Sequence, residues 1–376
     1  MSAAKIALVH DWLTGMRGGE KALEVLCERY PDAELFTLVH LPDSVSATIE
    51  RRPIHTSFIQ RLPGMARHYR RYLPLFPRAI ERFSFDRFDL VLSVSHCVAK
   101  SVITPPGVRH ICYCLTPMRY AWDQFEAYFG RQRMGWMGSR VMRPIMRGMA
   151  RWDRDTAVRA DRYVAISHYV AGRIDRYYNR AATVVYPPVN TQFFCPDGST
   201  PEGFALIVSA LVPYKRIELA IEACAVARVP LTIIGDGPDR TMLERVAAGR
   251  ARFLGRLPDE QVRAHYRRSS VVLLPGEEDF GIVPLEAQAC GRPVVALARG
   301  GALETVVPGE TGALVDSPSA DAFADAVADT VIRRFDTGAI RAHAETFGRE
   351  RFGDEMAALV HESLTTEGTK PSGGPQ

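Results

Sequence analysis

No apolar run in these 376 residues approaches the about twenty that a helix needs to cross a bilayer. No membrane-spanning helix is therefore expected. The opening Met1-Ser2-Ala3-Ala4-Lys5 leads straight into an apolar strand and lacks the h-region and cleavage site of a signal peptide. Cysteine is scarce and odd in number: seven, dispersed at Cys27, Cys97, Cys112, Cys114, Cys195, Cys224 and Cys290. That pattern excludes a disulfide framework. Cys112 and Cys114 alternate along one strand face without a second pair, so a zinc site is not expected. The segment Thr14-Gly15-Met16-Arg17-Gly18-Gly19-Glu20 does not fit the G-x-G-x-x-G dinucleotide fingerprint. We therefore expect no cofactor, no metal, and a cytoplasmic chain.

What is present is an ordinary globular composition, 47% hydrophobic and 24% charged, at a length that suits two domains. The net charge of +4 is unevenly spread. Between Arg51 and Leu90 nine arginines face only Glu81, Asp86 and Asp89, and between Arg131 and Arg154 seven face only Asp153. Both stretches carry large apolar residues, among them Tyr69, Leu73 and Phe76 in the first and Trp136, Met137 and Met146 in the second. Such mixtures suit contact with an anionic membrane surface. Nucleic acid is the competing electrostatic partner, and a solvated basic face over a normal core is the plainer alternative.

Apolar runs mark strands at Lys5–His10, Glu34–Val39, Leu90–Val94, His110–Cys114 and Tyr163–Ile166, with a helix from about Lys21 to Tyr30. Pro53–Phe83, rich in Pro and Arg, is expected to project as loops and short helices. Pro187-Pro188 ends this half. A second strand–helix series predicts strands at Phe204–Ser209, Leu231–Ile234, Arg252–Leu254, Val271–Leu274, Pro293–Ala296 and Ala313–Val315. Alternation of this kind builds parallel sheets. The predicted class is α/β, with two Rossmann-like domains (1–187 and 188–348) facing an interdomain cleft, a helix over 349–364 and a disordered tail over 365–376.

Chemistry concentrates in Glu278-Asp279-Phe280-Gly281-Ile282-Val283-Pro284-Leu285-Glu286, which follows the buried strand Val271–Leu274. A helix beginning near Gly281 tolerates Pro284 in its first turn. One carboxylate then lies in the loop at a strand's C-terminal end and one lies a turn into the helix. Backbone N–H groups of Gly281 and Ile282 suit a diphosphate, and ionised carboxylates suit hydroxyls. A polyol joined to a diphosphate is a nucleotide sugar. The plain alternative is a loop acid and a helix surface acid.

This segment, continued by Ala287-Gln288-Ala289-Cys290-Gly291-Arg292-Pro293-Val294-Val295, resembles the Glu-x7-Glu motif of the retaining glycosyltransferases of family 4, whose fold is GT-B. The resemblance implies that Glu278 faces the transferred sugar and that Glu286 holds ribose hydroxyls. Phe280, Gly281 and Ile282, and the loop Gly235-Asp236-Gly237, would lie on the donor side. Ser209-Ala210-Leu211-Val212-Pro213-Tyr214-Lys215-Arg216 resembles the family's Arg-x4-Lys-Gly element. Lys215 matches its Lys, whereas Ala210 replaces the Arg and Arg216 the Gly. Lys215 and Arg216 are then the expected partners of the leaving diphosphate. Gly300-Gly301-Ala302-Leu303-Glu304 is similar to a further family loop, with Glu304 as its acid.

On the acceptor side, Cys112-Tyr113-Cys114-Leu115-Thr116-Pro117-Met118-Arg119-Tyr120-Ala121-Trp122-Asp123 resembles the family's strand end, with Leu115 where many relatives have a histidine. Candidate substitutes are His10-Asp11, Arg119, and the pair His96 and Lys100, with Gly18 and Gly19 in the first glycine loop. For each histidine alone a core or surface role is the plain reading. The phrases His10-Asp11-Trp12-Leu13 and Thr116-Pro117-Met118-Arg119-Tyr120 look like the O-antigen-type mannosyltransferase branch.

The resemblance implies a metal-independent hexosyltransferase taking a nucleoside-diphosphate sugar, GDP-mannose first, to a glycan acceptor. A polyprenyl-diphosphate-linked acceptor at the inner face of the membrane fits the basic first domain; nucleic acid is not an expected partner. Two rivals stand beside it. One is a catalytically silent nucleotide-sugar-binding partner, separated by the absence of turnover. The other is a GT-B epimerase, separated by reaction without an acceptor.

Overall fold

The computed structural model describes residues 4–365. The chain forms two compact units. The first takes the residues up to Ile166, Val170–Tyr186 and the stretch from Phe352; the second takes Ser167–Tyr169 and Pro187–Arg351.

In the first unit seven strands, β1 (Ile6–His10), β2 (Glu34–Thr37), β3 (Ile54–Thr56), β4 (Leu90–Ser95), β5 (Arg109–Cys114), β6 (Arg162–Ala165) and β7 (Ala182–Val184), pair in the order 3-2-1-4-5-6-7. All pairings are parallel. β1 and β4 are buried along their whole length, as central strands covered on both faces must be. The edge strand β3 escapes a sequence reading, since three residues, Ile54, His55 and Thr56, carry no readable alternation.

Two expectations are corrected here. The segment Pro53–Phe83 does not project. Its short helices turn apolar residues inward, so that Ile59, Tyr69, Leu73, Phe76, Ala79 and Ile80 join Trp12, Met146 and Met149 in one core. Its arginines stay outside, so the compositional bias marks only one face of the segment. The first helix begins at Gly18 rather than Lys21, because the Glu20 carboxylate reaches back to accept the Arg17 amide (3.1 Å) and closes the first turn over the glycines.

The second unit carries β8 (Ala205–Val208), β9 (Leu231–Ile234), β10 (Ala251–Gly255), β11 (Val271–Leu274), β12 (Val294–Leu297) and β13 (Gly312–Val315), all parallel, in the order 10-9-8-11-12-13. Continuous apolar runs flanked by glycine loops gave these strands away within a residue or two. Both sheets are thus Rossmann-like, with the order reversing between β1 and β4 and again between β8 and β11.

The last helix, Arg349–Thr365, packs within the first unit from Phe352 onward. Phe352 meets the Tyr113 ring edge-on at 5.3 Å between centroids, and Asp354 and Glu362 pair with Arg29 (2.8 Å) and Arg162 (2.6 Å). Thr365, expected in the tail, closes this helix, and the rest of that tail lies outside the described residues. Among the described residues no helix is long and apolar enough to cross a membrane.

Candidate active site

In an open parallel sheet the loops diverge where strand order reverses, which leaves a crevice at the strands' C-terminal ends. In the second unit those ends belong to β8 and β11, and they carry Lys215 and Glu278. The Lys215 ammonium donates to the Glu278 carboxylate. Their side chains keep 17% and 12% of their surface open, so the pair is reachable and not a core bridge.

Backbone contact brings the two loops this close. A Cβ on Gly276 would lie 2.5 Å from the Tyr214 carbonyl oxygen and 2.8 Å from Lys215 Cα, so only glycine lets the β11 loop rest on the β8 loop. On the other side Gly300 (φ +58°) presses on the Glu278 carbonyl, where a Cβ would approach to 2.3 Å. The neighbouring Gly301 N–H donates to that same carbonyl (2.9 Å). The glycines after β11 and β12 therefore hold loops against the site as well as turning the chain. Gly235, expected at the donor, faces the Ser209 carbonyl, and Asp236 accepts from its own neighbour's amide, that of Gly237 (2.8 Å).

The helix Ile282–Ala289 starts from Gly281, whose φ of +92° suits glycine. The amides of its first turn, beginning with Ile282, have no partner within the helix. Glu286, one turn in, is buried and accepts from the Tyr266 hydroxyl (3.1 Å). Burial, with the Glu286 charge added, pushes the Tyr266 hydroxyl well above its ordinary range and keeps it a donor. Sequence spacing gave no sign of Tyr266, which arrives from the separate helix Asp259–Arg268.

Phe280, Arg216 and Glu304 each engage partners outside the Lys215–Glu278 pair. Phe280 is buried with its ring 5.9 Å from that of Phe347, so its side chain serves the core. Arg216 adopts a left-handed backbone (φ 51°), and its guanidinium donates to the Pro318 carbonyl (3.4 Å) in the loop after β13. Glu304 accepts the amides of His168 (2.8 Å) and Tyr169 (3.1 Å), which uses its carboxylate as a cap.

At the corresponding reversal in the first unit lie His10, the last residue of β1, Asp11 after it, and His96 after β4. Asp11 is wholly buried and accepts four backbone amides, from His96 (2.7 Å), Cys97 (2.9 Å), Val98 (2.6 Å) and Ala99 (2.8 Å). Its carboxylate thereby anchors the β4 loop. Lys100 is likewise enclosed: its buried ammonium sits 3.1 Å from Asp153, which also accepts from Trp122 and Tyr178. His96 retains partial exposure, edge-on to Trp12 at 4.4 Å, and burial pulls its imidazole below the usual value.

His10 is fully buried, its Nδ1–H donating to the Val94 carbonyl (2.8 Å) and its Nε2 lying 3.8 Å from Glu20. Burial lowers the imidazole pKa, but the Glu20 carboxylate, Asp11 and the Val94 carbonyl together offset it and the net shift is upward. Burial raises the Glu20 pKa, and the facing His10 brings the net shift down. A Cβ on Gly19 would sit 2.6 Å from Leu115 Cδ1 and 3.3 Å from His10 Cε1. Leu115, the histidine position of the resemblance, thus packs beside a different histidine. Gly18 opens the helix and Arg119 starts the short helix Arg119–Trp122 after Pro117.

Residues 191–341 match the family model described as glycosyl transferases group 1. A GDP-mannose-dependent alpha-(1-6)-phosphatidylinositol monomannoside mannosyltransferase of Mycolicibacterium smegmatis is 34% identical over 45% of this chain and 53% of its own. A D-inositol 3-phosphate glycosyltransferase of Geodermatophilus obscurus is 33% identical over 57% and 56%. The chain thus spans about half the length of the curated relatives it matches. Solved structures with the same fold include Anabaena Alr3699/HepE in complex with UDP (TM-score 0.67, 17% identity, 95% of this chain and 100% of that one). The sucrose-phosphate synthase of Thermosynechococcus elongatus is another (TM-score 0.71, 20% identity, 96% and 98%).

Proposed function

We propose, from the match of residues 191–341 to glycosyl transferases group 1 and from the GT-B fold, that the chain is a family 4 glycosyltransferase that transfers mannose from GDP-mannose, with retention, to a hydroxyl of a polyprenyl-diphosphate-linked glycan at the cytoplasmic face of a membrane. One observation carries the reading. A cation and a carboxylate, Lys215 and Glu278, are held together by backbone-packed loops at the sheet's reversal, beside the helix that begins at Ile282.

In the proposed reaction the donor diphosphate takes the Lys215 ammonium from Glu278, and the Ile282 end of the helix adds backbone N–H groups. Glu278, released, accepts from sugar hydroxyls, and Glu286 holds the ribose. The bond from the anomeric carbon to the phosphate oxygen breaks while the acceptor oxygen bonds on the same face. The acceptor proton passes to the departing diphosphate. Stabilisation of that leaving group lowers the barrier. Cationic side chains and the helix terminus supply the positive charge, with Arg216 turning in from Pro318, so the proposed reaction needs no metal. Mannose and GDP are supported by the named donor of the mycobacterial relative. The UDP of the Anabaena complex belongs to a far more distant sequence.

Thermal unfolding with GDP, UDP, GDP-mannose and UDP-glucose tests this on the wild type and on Lys215→Ala. Ligand at about a hundred times its Kd adds roughly 2.7 kcal/mol. Stabilisation by the guanine series alone, lost in the variant, is expected. Stabilisation by uridine nucleotides alone moves the donor to UDP-sugars, and no response to any of the four refutes the donor reading.

A further inference from the structure

The two basic stretches part company in the fold. The apolar residues of Arg51–Leu90 are mostly spent in the first unit's core, leaving arginines over it as a solvated face. The helix Arg131–Asp155 divides otherwise. Its inner face, Ser139, Met146, Met149 and Asp153, is buried. Its outer face keeps Trp136 57%, Met137 73% and Val141 61% exposed, next to a break in the helical path at Gly135 (φ 70°). Met137 and Val141 lie one turn apart and so form a single patch. Exposed apolar clusters of this kind mark interaction surfaces.

Arginines frame the patch and continue along the same helix. Arg140 lies over the Trp136 ring (5.5 Å), and Arg131, Trp136, Ser139, Arg140 and Arg143 line a cavity of about 200 Å³. Nearby acids are few and engaged: Glu126 pairs with Arg143 and Asp155 with Arg154, while Asp153 is buried on the inner face. Among the described residues Arg131, Arg140, Arg147 and Arg151 have no carboxylate partner. A protein partner would have to supply both an apolar socket and a row of acids. A bilayer bearing anionic headgroups supplies both at once, over any register.

We propose that the outer face of the helix Arg131–Asp155 docks on an anionic bilayer, with Trp136, Met137 and Val141 entering the headgroup boundary and a lipid phosphate seated among Arg131, Arg140 and Arg143. The inference deepens the reading of a lipid-linked acceptor but rests geometrically on this helix alone.

Sedimentation with vesicles of phosphatidylcholine, and of phosphatidylcholine with phosphatidylglycerol, tests it on the full chain. Wild type binds the mixed vesicles only, and rising salt releases it. Arg140→Ala/Arg147→Ala weakens binding by about fivefold per arginine removed, and Trp136→Ala/Met137→Ala weakens it comparably at low salt. Arg67→Ala/Arg71→Ala, on the other basic stretch, weakens it by less than about threefold. Each variant's unfolding midpoint shows that it folds. A wild type that ignores mixed vesicles overturns the proposal, as does a control pair that loses as much as the helix variants. Binding to duplex DNA in place of vesicles overturns it too. The nucleotide-induced thermal shift, read on the same proteins, reports on the donor site separately: vesicle binding without that shift sinks the donor reading and leaves the docking intact.

Discussion

Glu278→Gln should tighten the binding of GDP, which is an unusual direction for a substitution in a nucleotide site. The reason is competition. Glu278 holds the Lys215 ammonium, and a diphosphate must displace it. Both side chains are partly open, so the pair contributes at the level of accessible ion pairs, about 0–1 kcal/mol. Removing the carboxylate charge should therefore improve the GDP Kd by up to about fivefold. Lys215→Ala removes a charge-assisted hydrogen bond worth roughly 1.5–3 kcal/mol and should weaken GDP by about ten- to a hundredfold. The double variant should bind GDP no more weakly than Lys215→Ala, because Glu278 left without Lys215 repels the diphosphate directly. Isothermal titration with GDP reads all four proteins, and a Glu278→Gln protein that binds GDP more weakly than wild type refutes the competition. Sugar transfer should move the other way, falling by about a hundredfold or more in Glu278→Gln. An unchanged rate removes Glu278 from the mechanism.

The buried His10–Glu20 pair has its own pH signature. The folded imidazole pKa is raised above 6.5, so its contribution is complete below that value and is lost as pH rises through the folded pKa. Glu20 is lowered from 4.5, so its share is present above that value and lost as pH falls through the folded pKa. Glu20→Gln should thus cost about 3 kcal/mol at pH 6 and visibly less at pH 9, by urea unfolding; a cost growing with pH contradicts the pairing. Asp11→Asn should destabilise by about 3 kcal/mol, since an amide cannot accept all four amides it would face, and a loss under 1 kcal/mol would be inconsistent with that role. Gly276→Ala drives a Cβ into the Tyr214 carbonyl and Lys215, so the nucleotide-induced shift should vanish; a normal shift in the folded variant shows that the loops do not need this contact. Native labelling with a thiol-specific aromatic disulfide should reach Cys195 alone, since the other six thiols are buried and burial lifts Cys27, Cys224 and Cys290 to about 12. Rapid labelling of any buried thiol contradicts the packing.

The sequence by itself determined the two parallel sheets, because covered central strands must read as short apolar runs and crossover helices must fill the intervals. Val271–Leu274 and Leu231–Ile234 were legible to the residue for that reason. It also pointed to Glu278, Glu286 and Lys215, since strand-end acids and a cation beside glycines form a local pattern. Tertiary structure alone decided what each charge faces. Nothing local distinguishes Asp11, enclosed by four amides, from an open carboxylate, nor Lys100, sealed on Asp153, from a surface lysine. Tyr266 reaches Glu286, and Glu20 reaches His10, only because separate elements converge. The Arg131–Asp155 helix makes the same point on the surface. Composition recorded a basic, apolar stretch, and only packing settled which of its side chains the core had already taken.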